Sequence, residues 1–405
     1  MAASPRPLVP EPDPRRVVGV DVARALALLG MMATHMLPGR IGFDVPWPQQ
    51  LAGGRASALF AVLAGVSVAL VSGRERPVRG RQRYAAGVRL GIRALLIGVV
   101  GLVLGTLDSG IAVILTYYAV LFVIGLPFLG LGAGRLAVLA AGWVIAAPVA
   151  SHLLRPHLPE RGFGSPVPGD LAHPWQLTTE LTFTGYYPTF VWLAYLLAGM
   201  AVGRCRLRSA RTASGLLVSG LALAVAATSL SHWLTSRPRV HAALATTYPD
   251  PAAADPRELD ALLAHGLHGT TPTGSWWWLA AVAPHSGTPL DLAQTVGSAL
   301  AVIGACLLAT RLQRRLWAAA FGAGAMTLTL YSLHVWLMAR GHWPHLQPPG
   351  HYGDQVLLVL AIGATFALVP MRGPLESLVA RVSTGVASMV TPVREGRHAA
   401  YRTSA

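Results

Sequence analysis

The sequence predicts an all-α fold: a polytopic integral membrane bundle of ten or eleven transmembrane helices. Three observations carry this reading. Of 405 residues, 53% are hydrophobic and only 12% charged, with a mean hydropathy of +0.50, far too apolar for an ordinary soluble domain. Apolar windows of about 17 to 23 residues, long enough to cross a hydrocarbon core as helices, recur along the chain. All 32 basic residues are arginine, and they cluster in alternate connecting segments.

Taken in order, the windows fall near residues 20–38, 55–73, 87–107, 110–130, 135–152, 187–203, 213–234, 291–310, 316–338 and 353–370. The first follows "MAASPRPLVPEPDPRR", whose Pro-rich, polar composition is that of a disordered tail over residues 1–16. It contains Asp21 and Arg24 and ends without a small-residue cleavage site, so it does not read as a signal peptide. The third contains Gly101 and Gly105 at G-x-x-x-G spacing, which means close helix packing. Two long connections lie over residues 153–186 and 235–290, and the second holds a short amphipathic stretch and the triplet Trp276-Trp277-Trp278, suited to a membrane interface or a lid. The membrane domain is expected to run from 17 to 385, with a tail over 386–405.

Arginine placement orients the bundle, because cytoplasmic loops are enriched in positive charge. With a cytoplasmic N-terminus, that face holds Arg6, Arg15 and Arg16, "RERPVRGRQR" (74–83), Arg135, "RCRLRSAR" (204–211), "RLQRR" (311–315) and the five arginines from Arg372 to the C-terminus. The other face has only Arg40, Arg155, Arg161, Arg237, Arg239, Arg257 and Arg340, although its loops are longer. Both termini are therefore expected in the cytoplasm. The net charge of +15 is a consequence of topology, and no basic segment sits in a nucleic-acid-binding module. Cys205 and Cys306 suggest neither a disulfide nor a metal site.

The first window raises the question of function. On a helical wheel at about 100° per residue, Arg24 lies near −60° from Asp21, Met31 near −80° and His35 near −40°, so the three ionisable groups share one face. Fourteen residues at about 1.5 Å each separate Asp21 from His35 by roughly 21 Å. Interfacial anchoring explains each group singly: Asp21 complements a helix dipole and Arg24 snorkels to the surface. Their common face argues instead for a site or pathway, because ionisable residues in spans face the bundle interior.

Other polar residues crowd the outer half: Arg55 and Ser57, Tyr117 and Tyr118, Tyr186 and Tyr187, Tyr331, Ser332 and His334, and His285, Ser286, Thr288 and Asp291 in "PHSGTPLD". Singly, each tyrosine reads as an interfacial anchor. Three histidines near one leaflet, His35, His285 and His334, form a sharper signal, since imidazole exchanges protons near neutral pH. No H-E-x-x-H motif or close Cys/His spacing supports zinc, and no nucleophile elbow surrounds Ser57 or Ser286. A transporter or flippase would also use intramembrane charges, although "VDVARALALLG" has no counterpart in the second half. A nonenzymatic scaffold would not need the polar stripe.

"GVDVARALALLGMMATHMLP", "GRASALFAVLAGVSVAL", "TGYYPTFVWLAYLLAGMAVGR", "PHSGTPLDLAQTVGSALAV" and "MRGPLESLVARV" together resemble the bacterial, mainly actinobacterial, proteins grouped with the heparan-alpha-glucosaminide N-acetyltransferase catalytic domain and the YeiB-like membrane proteins. The likeness runs from about residue 16 to 385, and its most specific parts are the opening D-x-x-R and the "GPLE" tail. It implies a transmembrane acyltransferase that moves an acetyl group from cytoplasmic acetyl-CoA to a hydroxyl or amine of a glycan or other small-molecule acceptor outside the cell membrane. In the lysosomal relatives the catalytic histidine lies in the loop after the first span; here Pro38 to Gly54 holds no histidine, so the role falls to His35.

On this reading His35 takes the acceptor proton or accepts the acyl group itself, with His285 or His334 orienting or assisting it. Arg24, Arg89 and Arg93 would meet the CoA phosphates, and Asp21 would fix Arg24. Arg55, Ser57, Tyr187, Ser286, Asp291 and Tyr331 would surround the acceptor. Membrane lipids and a second copy of the chain are the other expected partners; nucleic acid and metal are not.

Overall fold

The computed structural model describes residues 13, 14, 16–162, 164–340, 350–369 and 371–390. Residues 1–12 and 15 of the expected N-terminal tail, and 391–405 of the C-terminal one, lie outside the described residues. Among the described residues every regular element is helical, apart from one isolated bridge between Ile41 and Asp44. The helices are α1 (Val18–Met36), α2 (Trp47–Ala52), α3 (Arg55–Val71), α4 (Gly80–Gly105), α5 (Leu115–Gly125), α6 (Ala133–Leu154), α7 (Pro174–Thr179), α8 (Thr189–Gly203), α9 (Ala210–Thr235), α10 (Pro238–Thr247), α11 (Pro256–His265), α12 (Pro289–Ala309), α13 (Arg314–Ala320), α14 (Thr327–Met338), α15 (Tyr352–Leu368) and α16 (Pro374–Val390).

Each apolar window of the sequence coincides with helix, but not each with one long helix. Among the described residues, six helical stretches are long and apolar enough to cross a membrane: α1, α2 with α3, α4, α6 with its C-terminal turn, α9 and α12. A seventh is counted if the segment 174–184 and α8, bent by 53° at the Gly185–Pro188 break, form one span. The windows at 110–130 and 316–338 are interrupted. In the first, α5 gives way to a 3-10 turn at Leu126–Gly130; in the second, α13 and α14 are separated by a 3-10 turn at Gly322–Ala325. Pro127 and the "FGAGA" run supply the physical cause, a missing backbone donor and a weak helix former. The protein is thus an all-helical membrane protein whose interior contains broken helices. Such irregular backbone is tolerated at membrane depth where neighbouring protein encloses it.

Small residues set the closest contacts. In α9 and α12, Gly220 and Gly297 face one another so tightly that a methyl on Gly220 would come within 2.6 Å of the Gly297 carbonyl. The G-x-x-x-G of α4 works the same way: a methyl on Gly101 would lie 2.6 Å from the Thr116 nitrogen of α5. Helix α1 is the inner member, packed against α3, α12, α13, α14, α15 and the turn at Gly322–Ala325. Its Ala23, Ala25, Leu28 and Met32 are fully buried. By contrast α9 presents Val218 and Val225 outward, the surface expected of a helix facing lipid.

The two ends of the bundle differ as the arginine pattern requires. At one end the arginine-rich segments meet: Arg314 donates to the carbonyls of Asp13 and Arg16 at 2.9 Å, and Arg311 to that of Arg208. Arg204, buried there, donates to the carbonyls of Ala69, Ser72, Arg74, Leu129 and Leu131, tying the exits of α3 and α5 to that of α8. At the other end α10, α11 and the turn at Trp276–Ala280 build a small second core of Val240, Leu244, Ala253, Leu259 and Trp278. The Trp triplet divides accordingly. Trp278 is buried with its indole bonded to Thr247 at 2.9 Å, whereas Trp276 and Trp277 are exposed.

Candidate active site

The D-x-x-R pair of α1 forms a clamp. Asp21 accepts from Arg24 at 2.8 Å through one oxygen and from Arg16 at 2.5 Å through the other. Arg24 spends its second nitrogen on Ser67 of α3, at 2.5 Å. Because Asp21 is nearly buried, two arginines are needed to offset its desolvation, and together they fix the position of α1 against α3.

About three turns further along the same face stands His35. Its Nδ1 lies 3.1 Å from Nε2 of His334 on α14, and Nδ1 of His334 lies 2.7 Å from Oε1 of Gln355 on α15. His334 and Gln355 are wholly inaccessible. The Gln355 oxygen can only accept, so His334 carries its proton on Nδ1 and offers Nε2 as an acceptor. His35 must then donate from Nδ1, which leaves its Nε2 lone pair free. The chain Gln355–His334–His35 therefore selects the His35 tautomer that can take a proton.

A small chamber of about 20 Å³ lies against His35, with Met31, Ser57, Tyr187, His285 and Tyr331 in its wall. That is room for roughly one water. A second cavity, of about 350 Å³, lies toward the arginine-rich end. Arg24, Arg93, Arg372 and Glu376 line it together with an apolar corridor that includes Phe60, Leu63, Ile97, Leu115 and Phe122. Ile114 and Tyr331 border both spaces.

Of the arginines expected at a donor site, Arg24 and Arg93 line this cavity and Arg89 does not; Arg89 bonds the Val71 carbonyl at 3.2 Å. Arg24 is committed to Asp21 and Ser67, whereas Arg93 makes no hydrogen bond among the described residues. Arg372 joins it from the segment before α16. The "GPLE" motif has a structural role as well. Glu376 accepts from the backbone nitrogens of Leu328 and Thr329, at 2.7 and 3.2 Å, and from the Thr329 hydroxyl at 2.5 Å, capping the N-terminus of the helix that carries Tyr331 and His334.

On the opposite side the chamber is closed by loops. Leu267 and Gly269 donate to the carbonyls of Pro284 and His285, at 2.9 and 2.6 Å. His268 and His285 both adopt left-handed backbone, φ 46° and 59°, an uncommon conformation for non-glycine residues that the paired loops impose. Burial lowers both imidazoles from the usual histidine range to about 4; His268 adds to this for His285, and His265 and Arg161 for His268. Arg161 lies over the Tyr186 ring and donates to the His268 carbonyl at 2.6 Å.

Among the expected acceptor residues, Ser57, Tyr187 and Tyr331 line the chamber; Arg55, Ser286 and Asp291 do not. Asp291 instead accepts from the Gly287 nitrogen at 2.9 Å and pins the "PHSG" loop, and Arg55 donates to the Gln50 carbonyl. His334 stands behind His35, bonded to it and away from the chamber wall, while His285 reaches the chamber. Gln355, Ile114 and Arg372 were not singled out from the sequence, and Tyr118 was named there among the polar residues but read singly as an interfacial anchor. Gln355 had a signal, as a polar residue in an apolar window; Ile114 had none, because its contribution is a backbone group.

A sequence profile for the catalytic region of heparan-alpha-glucosaminide N-acetyltransferase matches residues 16–238, more than half of the chain. The chain belongs to that family. Membership makes it one of the membrane N-acetyltransferases, a transferase enzyme. No curated protein matches it. The family match spans Asp21, Arg24, His35, Arg93 and Ile114, whereas His285, Tyr331, His334 and Gln355 come from the part of the chain beyond it.

Proposed function

We propose that the protein is an acyl-CoA-dependent acetyltransferase of the cell membrane, with both termini cytoplasmic. It takes acetyl-CoA as donor substrate at the arginine-rich face and delivers the acetyl group to a hydroxyl or amine on the other face, on a glycan or other envelope metabolite. The observation that carries this reading is the pair of cavities meeting at Ile114 and Tyr331. One is a corridor with free guanidinium groups, the other a chamber under a histidine whose tautomer is fixed. Arg93 and Arg372 suit the phosphates of CoA, because guanidinium forks bind phosphate oxygens in pairs. The apolar wall between them and Tyr331 suits a pantetheine arm.

His35 acts as the base. Its Nε2 takes the proton from the acceptor as the acceptor attacks the thioester carbonyl, and the same proton passes to the departing CoA thiolate. His334 and Gln355 hold the ring in the right tautomer. Incubating the purified full chain with acetyl-CoA labelled in the acetyl group, in the presence of membrane extract, tests the reading. Label transferred to an extract component with release of free CoA supports it. Label retained on the protein after denaturation would point to an acyl-histidine, and neither release nor transfer would overturn the assignment in favour of a transport role.

A further inference from the structure

The boundary between the two cavities is built from hydrogen-bond donors that the fold uses weakly or not at all. Ile114 is the N-cap of α5, so its N–H has no partner within the helix, and it points to the Tyr331 hydroxyl across 3.3 Å, a long contact. Tyr331 accepts there, and its own proton has no acceptor among the described residues. One turn into α5, Tyr118 lines the corridor with a buried hydroxyl that has no partner among the described residues. Tyr331 and Tyr118 are only 2% and 3% exposed, so their hydroxyls are turned to the cavities and away from bulk solvent. Two unspent phenol donors and a helix N-terminus, with its partial positive charge, thus converge on one apolar corridor. Such an arrangement lacks an acceptor, and a carbonyl oxygen is the group that would complete it.

We propose that the Tyr331 hydroxyl and the Ile114 N–H form the oxyanion site for the donor's thioester carbonyl. This rests on the acetyl-CoA reading above. The acceptor's nitrogen or oxygen attacks the carbonyl carbon from the chamber side while His35 takes its proton, and the carbonyl π pair moves onto oxygen. Both donors strengthen their bonds to that oxygen as its charge grows. The pair then re-forms the carbonyl, the C–S bond breaks, and the thiolate leaves with the proton from His35. Among the described residues Tyr331 is the one side chain that touches both spaces and bears a free donor, which makes it a catalytic residue rather than a wall. Glu376 holds its helix in register from the "GPLE" segment.

Binding of two non-reacting CoA analogues to the purified full chain tests this without knowledge of the acceptor. One is the ketone in which a methylene replaces the thioester sulfur; the other is S-ethyl-CoA, which has no carbonyl. The wild-type chain is expected to prefer the ketone by about tenfold, the worth of a modest hydrogen bond. Tyr331→Phe should reduce that preference to about twofold or less, while Tyr118→Phe weakens both analogues alike and leaves the preference intact. A wild-type chain that binds both without preference, or a preference that survives Tyr331→Phe, would overturn the oxyanion site and leave the donor reading standing. Binding of neither analogue would remove the donor reading itself and the proposal with it. A measurement on the wild-type chain alone serves should the variant not fold: the infrared carbonyl stretch of acetyl-CoA carrying ¹³C at that carbon should move to lower frequency on binding, and an unchanged or raised frequency would refute the site.

Discussion

The His35 and His334 rings lie nearly parallel, 9° apart with centroids at 5.3 Å, and are joined edge to edge by the 3.1 Å contact between Nδ1 and Nε2. This geometry makes the two imidazoles one unit whose proton positions are set from its far end, by the Gln355 oxygen. Gln355→Leu removes that acceptor, freeing His334 to take the other tautomer and His35 to lose its free Nε2. Turnover, read as release of free CoA, should fall by roughly tenfold to a hundredfold, within the range of a disturbed general base, while acetyl-CoA binding stays the same. Gln355→Glu keeps an acceptor in place and should retain more activity than the leucine variant. Equal activity in all three proteins would show that the chain of rings serves only packing.

His35 itself should matter most. Only it combines the Asp21–Arg24 face of α1, a place in the chamber wall and a nitrogen free to take a proton. His35→Ala should lower turnover by about 10² to 10⁴ while donor affinity and thermal midpoint change little. His334→Ala should do less, since it removes the orienting partner. Turnover for these two and His285→Ala at matched protein concentration decides the order; collapse in His285→Ala alone would move the chemistry to the "PHSG" loop.

Much of this was legible from residues alone, for definite reasons. Apolar length and arginine asymmetry are averages over many side chains, so the helical bundle and its two unlike ends were readable. The polar stripe of α1 was readable because helical periodicity is rigid: Asp21, Arg24 and His35 do lie along one inner helix. What the wheel cannot give is the partner across the interface. Arg24 reads as a phosphate ligand in sequence, yet Asp21 and Ser67 each take a donor from its two terminal nitrogens, and Arg372, remote in sequence, borders the same cavity. Asp291 and Arg55 likewise read as site residues and proved to fasten loops. The amphipathic α16, with Val379, Ser383 and Ala387 buried one turn apart, is too polar to stand out as a membrane window.

The two arginines of the corridor should therefore separate by experiment. Arg93 lines the cavity without a hydrogen bond among the described residues, so Arg93→Ala should weaken acetyl-CoA by about tenfold and its 3′-dephospho analogue less, if the guanidinium meets that phosphate. Arg24→Ala leaves the nearly buried Asp21 with one arginine rather than two and should lower the thermal midpoint by roughly a few degrees, with both donors affected alike. Isothermal titration with the two nucleotides, alongside thermal scans, separates the roles. Equal losses for both donors in Arg93→Ala would confine that residue to the structure as well.

Acid should loosen the outer lid. His268 and His285 sit outside the spans, and both titrate near 4 in the folded chain against about 6.5 when unfolded. Between those values the unfolded chain binds protons that the folded one refuses, so stability falls as pH drops through 6.5 and continues to fall until about 4. Above 6.5 both states hold neutral rings, and the two histidines contribute no slope. The thermal midpoint of the detergent-solubilised protein should accordingly be flat from pH 8 to 7 and decline from about 6.5 downward. His268→Gln removes one of the two protons, and also the like charge that depresses His285, so its decline should be shallower. An identical slope in wild type and variant would mean that the lid histidines are not held in the paired arrangement of the 266–269 and 284–287 loops.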